Sequence, residues 1–298
     1  MPNNTLAQLP VNLPWNSSAY LLLDGISVDT LAQRLYQWSA APDFDVLYLD
    51  TLWANLSDVS PCLIHLSGAH DSILGAFLEN SAHEWGYLLF SNASRAALLN
   101  HLRWLACVQH PLGADMLLRL ADPAVIHALL QQAEQDNDNT LFGPIDLAVT
   151  PDNIQDCWHQ HHRARPAQTT TPRTRYRLTE HQLERLGDVS FRSLIIRLDA
   201  HLHDYFPDYQ PTLSSTERWQ HLQALADQAY AQGFHSEHEI TLYSNIFALL
   251  GPTALVTHHD IAALVSQPSS LSPSQRIEQA ADIAYARASS AERTPHDS

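Results

Sequence analysis

The densest group of side chains able to bind metal or move protons is "CWHQHH", residues 157–162, which sets Cys157, His159, His161 and His162 within six positions. Thiolate sulfur and imidazole nitrogen are ligands that a zinc-like ion accepts, so the stretch could in principle hold a soft metal. No second Cys/His pair stands at zinc-finger spacing. "HSEHE" places His235 and His238 three apart, without the H-E-x-x-H order that sets two imidazoles and a general base on one helix face. "HLHD" (201–204) and "THHD" (257–260) are equally incomplete. A chain with 18 histidines gathers such groups by chance, and neither a metal nor a cofactor is expected.

The second candidate is "MLLRLADPAVIHALL", residues 116–130, where Arg119 and Asp122 interrupt an apolar run. The two could be a catalytic pair, a handle for a partner, or a structural device. Asp122 is placed to cap a helix, its carboxylate taking free N–H groups of the first turn, a contact typically worth about 1 kcal/mol. Pro123 suits the first helical position, where its missing N–H costs nothing. On a strand over 116–121, Leu118 and Leu120 share one face while Leu117, Arg119 and Ala121 share the other. A buried arginine there needs an acid, and Asp122 or Glu84 could supply it. Structural pairing is the preferred reading, ahead of partner binding and then catalysis. Glu84 with Trp85-Gly86, and His101 with Arg103, could be imagined as acid–base groups. Nothing in their spacing demands it, and they read instead as core aromatics (Trp85, Trp104) and a histidine on the polar face of a helix.

Other chemistries lack their parts. The chain has nine glycines and no glycine-rich phosphate loop. It has no G-x-S-x-G elbow to seat a hydrolase nucleophile. All 16 basic residues are arginine, so Schiff-base, pyridoxal and phosphate-loop lysine chemistry is excluded.

Charge is distributed unevenly. Residues 1–162 carry 17 acids against four arginines, net −13; residues 163–177 carry five arginines and no acid; residues 178–298 carry 15 acids against seven arginines, net −8. A field of that sign repels phosphate backbones, so nucleic acid is not an expected partner. An acidic surface serves solubility or docking. No run approaches the roughly 18 apolar residues of a membrane span. The opening "MPNNTLAQLPVNLPW" has neither a basic start nor an apolar core, so no secretory signal is expected. Three widely spaced cysteines suit reduced thiols, and a cytoplasmic location is expected.

The elements that must position these residues fall into two sets. Apolar runs at 19–26, 43–50, 61–66, 85–91 and 115–121 predict strands, and helical spacing predicts helices at 28–40, 94–108 and 122–135. This is a mixed α/β domain over 1–162, with strand order left open. "RARPAQTTTPRTRYR" (163–177) has two prolines and no large aliphatic residue, and reads as an extended linker whose arginines can lie against an acidic domain. From 178 to 298 strand signals nearly vanish. A broad apolar stripe runs over 179–206, and Ser214/Glu217 and Ser236/Glu239 have capping-box spacing. Gly233 and Gly251-Pro252 are stops, and Ser272-Pro273 opens a last helix. The fold class is therefore α+β: a mixed α/β domain, then a helical bundle.

The ordered segments "LYLDTLWANLSDVSPCLIHL", "WGYLLFS", "LLNHLRWLACVQHPLGADMLLRLADPAVIHALL" and "LFGPI" resemble the effector-chaperone, or adaptor, family of bacterial type VI secretion. The family's acidic "ADV-x-P" turn is matched by Asp58, Val59 and Pro61, and its Trp-Gly strand by Trp85, Gly86 and Ser91. Its "HLR" helix is matched by His101, Leu102 and Arg103, and its "R-[FL]-x-D-P-R-V-L" by Arg119, Asp122, Pro123, Val125 and Ile126. Two positions depart: Ala124 replaces the arginine after Asp-Pro, and Asp50-Thr51 replaces a glycine-threonine, so no role carries over to either. "HLHDYFP" and "AYAQGFHSEHEITLYSNIFALLGP" are similar to the helical tail of these adaptors. The likeness spans roughly residues 19–288.

The resemblance implies a non-enzymatic protein that binds a toxic effector in the cytoplasm and loads it onto a VgrG-type spike. Its implied partners are that effector and the spike, with the acidic first domain on the spike side. Asp58, Trp85, Gly86, His101, Arg103, Arg119, Asp122 and Pro123 are the hallmark residues, as partner contacts or as structural supports. An immunity protein that blocks one toxin, or a histidine-dependent metalloenzyme, is the competing reading.

Overall fold

In the computed structural model, which describes residues 5–166, 174–267 and 269–292, the apolar runs of the first half pair into a six-stranded sheet and a smaller two-stranded one. The strands are β1 (Ser18–Leu23), β2 (Phe44–Val46), β3 (Cys62–Leu66), β4 (Gly86–Ser91), β5 (Cys107–Gln109), β6 (Asp115–Leu117), β7 (Leu147–Asp152) and β8 (Cys157–His162). The large sheet runs β2-β3-β1-β4-β7-β8, and each neighbouring pair is antiparallel. β5 and β6 form the small sheet.

The helices are α1 (Leu31–Trp38), α2 (Ser72–Glu79), α3 (Arg95–Leu105), α4 (Pro123–Gln135), α5 (Glu180–Tyr205), α6 (Ser215–Ala231), α7 (Glu237–Leu250), α8 (Ala254–Thr257), α9 (His259–Ser266) and α10 (Pro273–Glu292). The architecture is α+β, as the sequence predicts. The chain divides into two compact units, Met1–Val189 and Ser190–Ser298.

Both faces of the large sheet are covered in the first unit. Tyr20, Leu22, Leu63, Tyr87, Leu89 and Ala148 point to one side, where they pack with Leu98, Leu102 and Leu105 of α3 and Ile126, Leu129 and Leu130 of α4. The alternate residues Leu21, Leu23, Ile64, Leu88, Phe90 and Val149 pack with Leu31 and Leu35 of α1 and Ile73, Leu74 and Phe77 of α2. Strands covered on both faces read as continuous apolar runs rather than alternating ones, which is why β1, β3 and β4 are plain in the sequence. Side-chain caps start the helices: Asp71 accepts from the Ile73 N–H at 2.9 Å, and Ser94 from the Ala97 N–H at 3.3 Å.

Some expected boundaries move. The helix expected over 94–108 stops at Leu105, and Cys107–Gln109 turns into β5, which pairs with β6. The strand expected over 115–121 ends at Leu117. Beyond it the Leu120 N–H bonds the Leu118 carbonyl at 2.8 Å, so Arg119 stands on a tight turn rather than a strand face. Leu118, Leu120 and Ala121 are all buried, which strand alternation forbids.

Of the expected linker, residues 167–173 lie outside the described residues. Its last part is tied to the first unit: Arg175 pairs with Asp115, and Trp104 Nε1–H donates to the Thr174 carbonyl at 2.8 Å. The Gln109 N–H donates to Tyr176 and its carbonyl accepts from Leu178, at 2.8 and 2.9 Å.

The second unit is helical, with a core of Leu198, Leu202, Leu222, Ile240, Tyr243, Ile246, Ile261 and Ile277. Ala280, Ala281 and Ala284 give α10 a face of small buried residues. Both predicted capping boxes form, at Ser214/Glu217 and Ser236/Glu239. Glu239 does more than cap: it also accepts from the His235 N–H at 2.8 Å and from the Ser274 hydroxyl at 2.5 Å. Burial alone would raise its pKa, but these donors hold the carboxyl below its ordinary value. Ser236→Ala should cost about 1 kcal/mol, the usual worth of such a cap, read as a lower urea midpoint by circular dichroism.

Candidate functional site

β1 delivers Asp24 to the end of the sheet, where its N–H donates to the Trp85 carbonyl at 2.8 Å. One carboxylate oxygen accepts from the Ile26 N–H at 3.2 Å; the other accepts from Ser27 Oγ at 2.9 Å and from Arg119 Nη2 at 2.6 Å. Asp24 is 4% exposed and Arg119 42%, so the guanidinium caps a buried acid from the surface side. Asp122 lies farther off, 3.8 Å from Arg119 Nη1. The partner of Arg119 is thus Asp24, an acid 95 positions earlier that sequence reading did not weigh. Glu84, which it did weigh, accepts from the Asn153 N–H at 2.7 Å instead.

Asp122 caps α4 as expected, accepting from Ala124 N–H at 3.0 Å and Val125 N–H at 3.4 Å, with Pro123 following in the first turn. Burial raises its carboxyl above the ordinary value despite Arg119 and the two amides. Tyr87 Oη–H donates to the Leu120 carbonyl at 2.9 Å and fixes this turn to β4. Burial pushes the buried Tyr48 phenol up to about 12, so it supplies no base near neutral pH. The polar atoms of this network are engaged with other protein atoms, which suits support rather than turnover.

The other residues expected from the resemblance hold neighbouring segments. Gly86 pairs with Leu23, and a Cβ there would stand 2.0 Å from the Leu22 carbonyl oxygen. Trp85 stacks with Trp38 and with His83, at 6.0 and 5.6 Å between centroids. His101, expected on a polar helix face, is buried. Its Nε2 lies 2.9 Å from the Leu141 carbonyl, an acceptor, so that nitrogen carries the proton. Burial lowers its pKa to about 4, leaving it neutral at physiological pH. Gly143, at φ 50°, lets its ring lie so close that a Cβ would stand 2.4 Å from Cε1. Sequence reading missed this burial because Asn100 and Arg103 flank His101.

Arg103 organises the segment 47–61. Its Nε–H donates to the Leu47 carbonyl at 3.1 Å, Nη2 reaches Val46 at 3.5 Å, and Nη1 pairs with Asp50 at 2.8 Å. Trp53 Nε1–H donates to the Ala106 carbonyl at 3.2 Å, and the Tyr48 N–H to Ser60 Oγ at 3.0 Å. So many ties would ordinarily bury apolar groups. Here Leu49, Leu52 and Val59 stay 53%, 58% and 39% exposed. Asp58 is exposed beside Val59 and makes no ion pair among the described residues. Residue type does not announce this exposure: the segment holds four leucines and a valine, and one of them, Leu47, is fully buried.

The histidine groups are placed separately. His201 Nε2 lies 2.9 Å from Asn245 Oδ1, His235 stacks on Tyr230 at 4.2 Å, and His238 approaches Glu278 at 4.0 Å. His159 and His161 stand on one face of β8 beside His127 of α4. Among the described residues no group of three or more His, Cys, Asp or Glu is arranged to hold a metal ion. The three cysteines are free thiols, and burial pushes Cys62 up to about 12.

A domain of unknown function, DUF4123, matches residues 19–139, the stretch that contains the Asp24–Arg119–Asp122 network and the 47–61 segment. The chain is 32% identical over 275 residues to the accessory protein VasW of Vibrio cholerae, covering 92% of this chain and 90% of that one. No solved structure matches. Likeness at that level through nine-tenths of both chains extends past the matched domain into the helical unit. The protein belongs to the DUF4123 family of type VI secretion effector adaptors.

Proposed function

We propose that this protein is a non-enzymatic adaptor that binds a secreted effector and loads it onto a VgrG-type spike in the cytoplasm. The observation that carries the reading is the 47–61 segment. It is held by Arg103, Trp53 and Ser60, yet presents Leu49, Leu52 and Val59 to solvent. Pre-ordered apolar groups bind a partner without paying to order themselves, which is how a docking surface differs from an ordinary loop. The hallmark polar residues support this reading by their engagement: Arg119, Asp122, His101 and Arg103 position segments of the first unit and leave Asp58 facing outward. The exposed carboxylate of Asp58 favours a basic group on the partner. Among the described residues no helix is long and apolar enough to cross a membrane, which agrees with an adaptor working before secretion.

Co-expression with the effector and spike protein of its own cell should yield a complex that co-purifies. Leu52→Glu with Val59→Glu should weaken that complex at least tenfold, with the urea midpoint unchanged because both side chains already face water. A complex indifferent to both changes sinks this surface; failure of the unaltered protein to bind either partner sinks the adaptor reading.

A further inference from the structure

The "CWHQHH" strand and α4 share a second polar assembly that the adaptor reading does not use. Glu134 sits at the end of α4, and its two carboxylate oxygens go to consecutive residues of β8. One accepts from the His162 N–H at 2.8 Å, and the other is 3.0 Å from His161 Nδ1. His161 Nε2 is in turn 2.9 Å from Nδ1 of His127, seven residues before Glu134 and so on the same face of α4. The His127 ring stacks on His159 at 4.0 Å.

The proton positions follow from what each atom can do. A carboxylate only accepts, so His161 carries its hydrogen on Nδ1. A neutral imidazole then offers a lone pair on Nε2, so the His127 hydrogen is on Nδ1. Both nitrogens of His161 are spent, which explains why these rings do not converge on an ion.

β8 is an outer strand of the large sheet, with β7 as its neighbour. The Arg163 N–H points back to Asp146, at 3.1 Å, so the His162 N–H, one residue earlier, points away from β7. Glu134 occupies the place where the next strand's carbonyl would bind. An edge strand of six residues without lysine or proline invites further pairing, and this carboxylate blocks it.

We propose that Glu134, His161 and His127 form an acid-released staple that fastens the edge strand β8 to α4. The first proton is tolerated: with His127 switching tautomer, an imidazolium at His161 lies between the Glu134 carboxylate and a neutral ring. A second proton puts two imidazolium rings across a 2.9 Å contact with no acceptor between them, and the contact opens. The surroundings give His127 little help in carrying charge. His159 and His161 from β8 and Arg185 from α5 oppose it, and Asp152 from β7 favours it. Around His161, Glu134 favours the charge while His159 and His162 oppose it. Cys157 lies 3.8 Å from His159.

Burial first, then the neighbouring histidines, lower His127 to about 4; burial lowers His161 against the pull of Glu134. A histidine depressed in the folded state binds fewer protons there than when unfolded. The staple is therefore fully present above the ordinary value of about 6.5 and lost as pH falls towards about 4.

Hydrogen exchange on the full chain at pH 7.5, 5.5 and 4.5, corrected for intrinsic rates, tests this. The amides of β8 should lose at least tenfold more protection than those of β1 and β4 between pH 5.5 and 4.5. His127→Gln, which keeps a donor but does not titrate, should abolish that difference. Three results would overturn the proposal: β8 staying protected at pH 4.5, β8 opening in step with β1 and β4, or His127→Gln opening as the parent does. If that variant fails to fold, the ring signals of His127 and His161 in the parent decide by NMR. Coupled titration below 6.5 is expected, and independent titration near 6.5 refutes the staple.

Discussion

Gly86→Ala is expected to unfold the first unit or leave it insoluble. The added Cβ would meet backbone on every side: the Leu22 carbonyl oxygen at 2.0 Å, its carbon at 2.9 Å and Leu23 Cα at 2.9 Å. None of these atoms can rotate away as a flexible side chain would. β1 is hemmed between β3 and β4, so it has no free side towards which to move. Overpacking usually costs about 1–3 kcal/mol, and a clash with main chain inside a sheet belongs at the top of that range or beyond. Displacing Leu22 and Leu23 also moves Asp24, which follows them and bonds the residue before Gly86. The urea midpoint of the tryptophan-rich first unit should fall sharply, with the helices of the second unit melting as before. Gly75→Ala is the control: Gly75 is an exposed position of α2 with nothing within 4 Å of the new Cβ. There alanine should stabilise by about 0.5–1 kcal/mol through helix propensity. Equal midpoints for the two variants would refute the account of Gly86.

Arg119→Met should be the second large effect. Removing one partner from a buried ion pair commonly costs about 3–5 kcal/mol, because the other charge is left without compensation. Two features moderate it here. Arg119 is 42% exposed, so solvent already screens the pair, and Asp24 keeps its bonds from Ile26 and Ser27. A loss of about 2–3 kcal/mol is expected. Asp24→Asn in the Arg119→Met background should recover part of that loss, since the buried charge then disappears with its partner. A free-energy change below about 0.5 kcal/mol, with loss of partner binding, would make Arg119 a surface handle instead.

The sequence displayed what local physics decides. Asp122-Pro123, Ser94, Ser214/Glu217 and Ser236/Glu239 start helices because the capping groups lie within three residues of the amides they serve. β4 was visible as an apolar run because helices cover both its faces, and β3 is interrupted only by the exposed His65. Other elements were hidden for identifiable reasons. β7 contains Pro151, which ordinarily argues against a strand inside a sheet, and β8 is written in histidine, tryptophan and glutamine. β5 continues the apolar spacing of α3 and was read as its last turn. In the candidate site, Asp122 was legible as a cap, but the choice of Asp24 for Arg119 depends on the β1–β4 register, which joins residues more than 60 positions apart. The exposed Leu49, Leu52 and Val59 were missed because burial is a property of the folded surface, not of hydrophobicity.

The strand order has a consequence for how this chain is made. β1 is the first strand to leave the ribosome, yet its neighbours β3 and β4 emerge some 40 and 65 residues later, and β8 only after residue 162. The centre of the sheet must wait, unpaired, for partners that close long loops, and such high contact order slows folding. The second unit, built from helices joined by short turns, faces no comparable delay. During synthesis the nascent first unit therefore offers an apolar strand without its sheet for many seconds, at the ordinary pace of about 5–20 residues per second. An apolar strand left unpaired for that long is the segment on which nascent-chain protection would act.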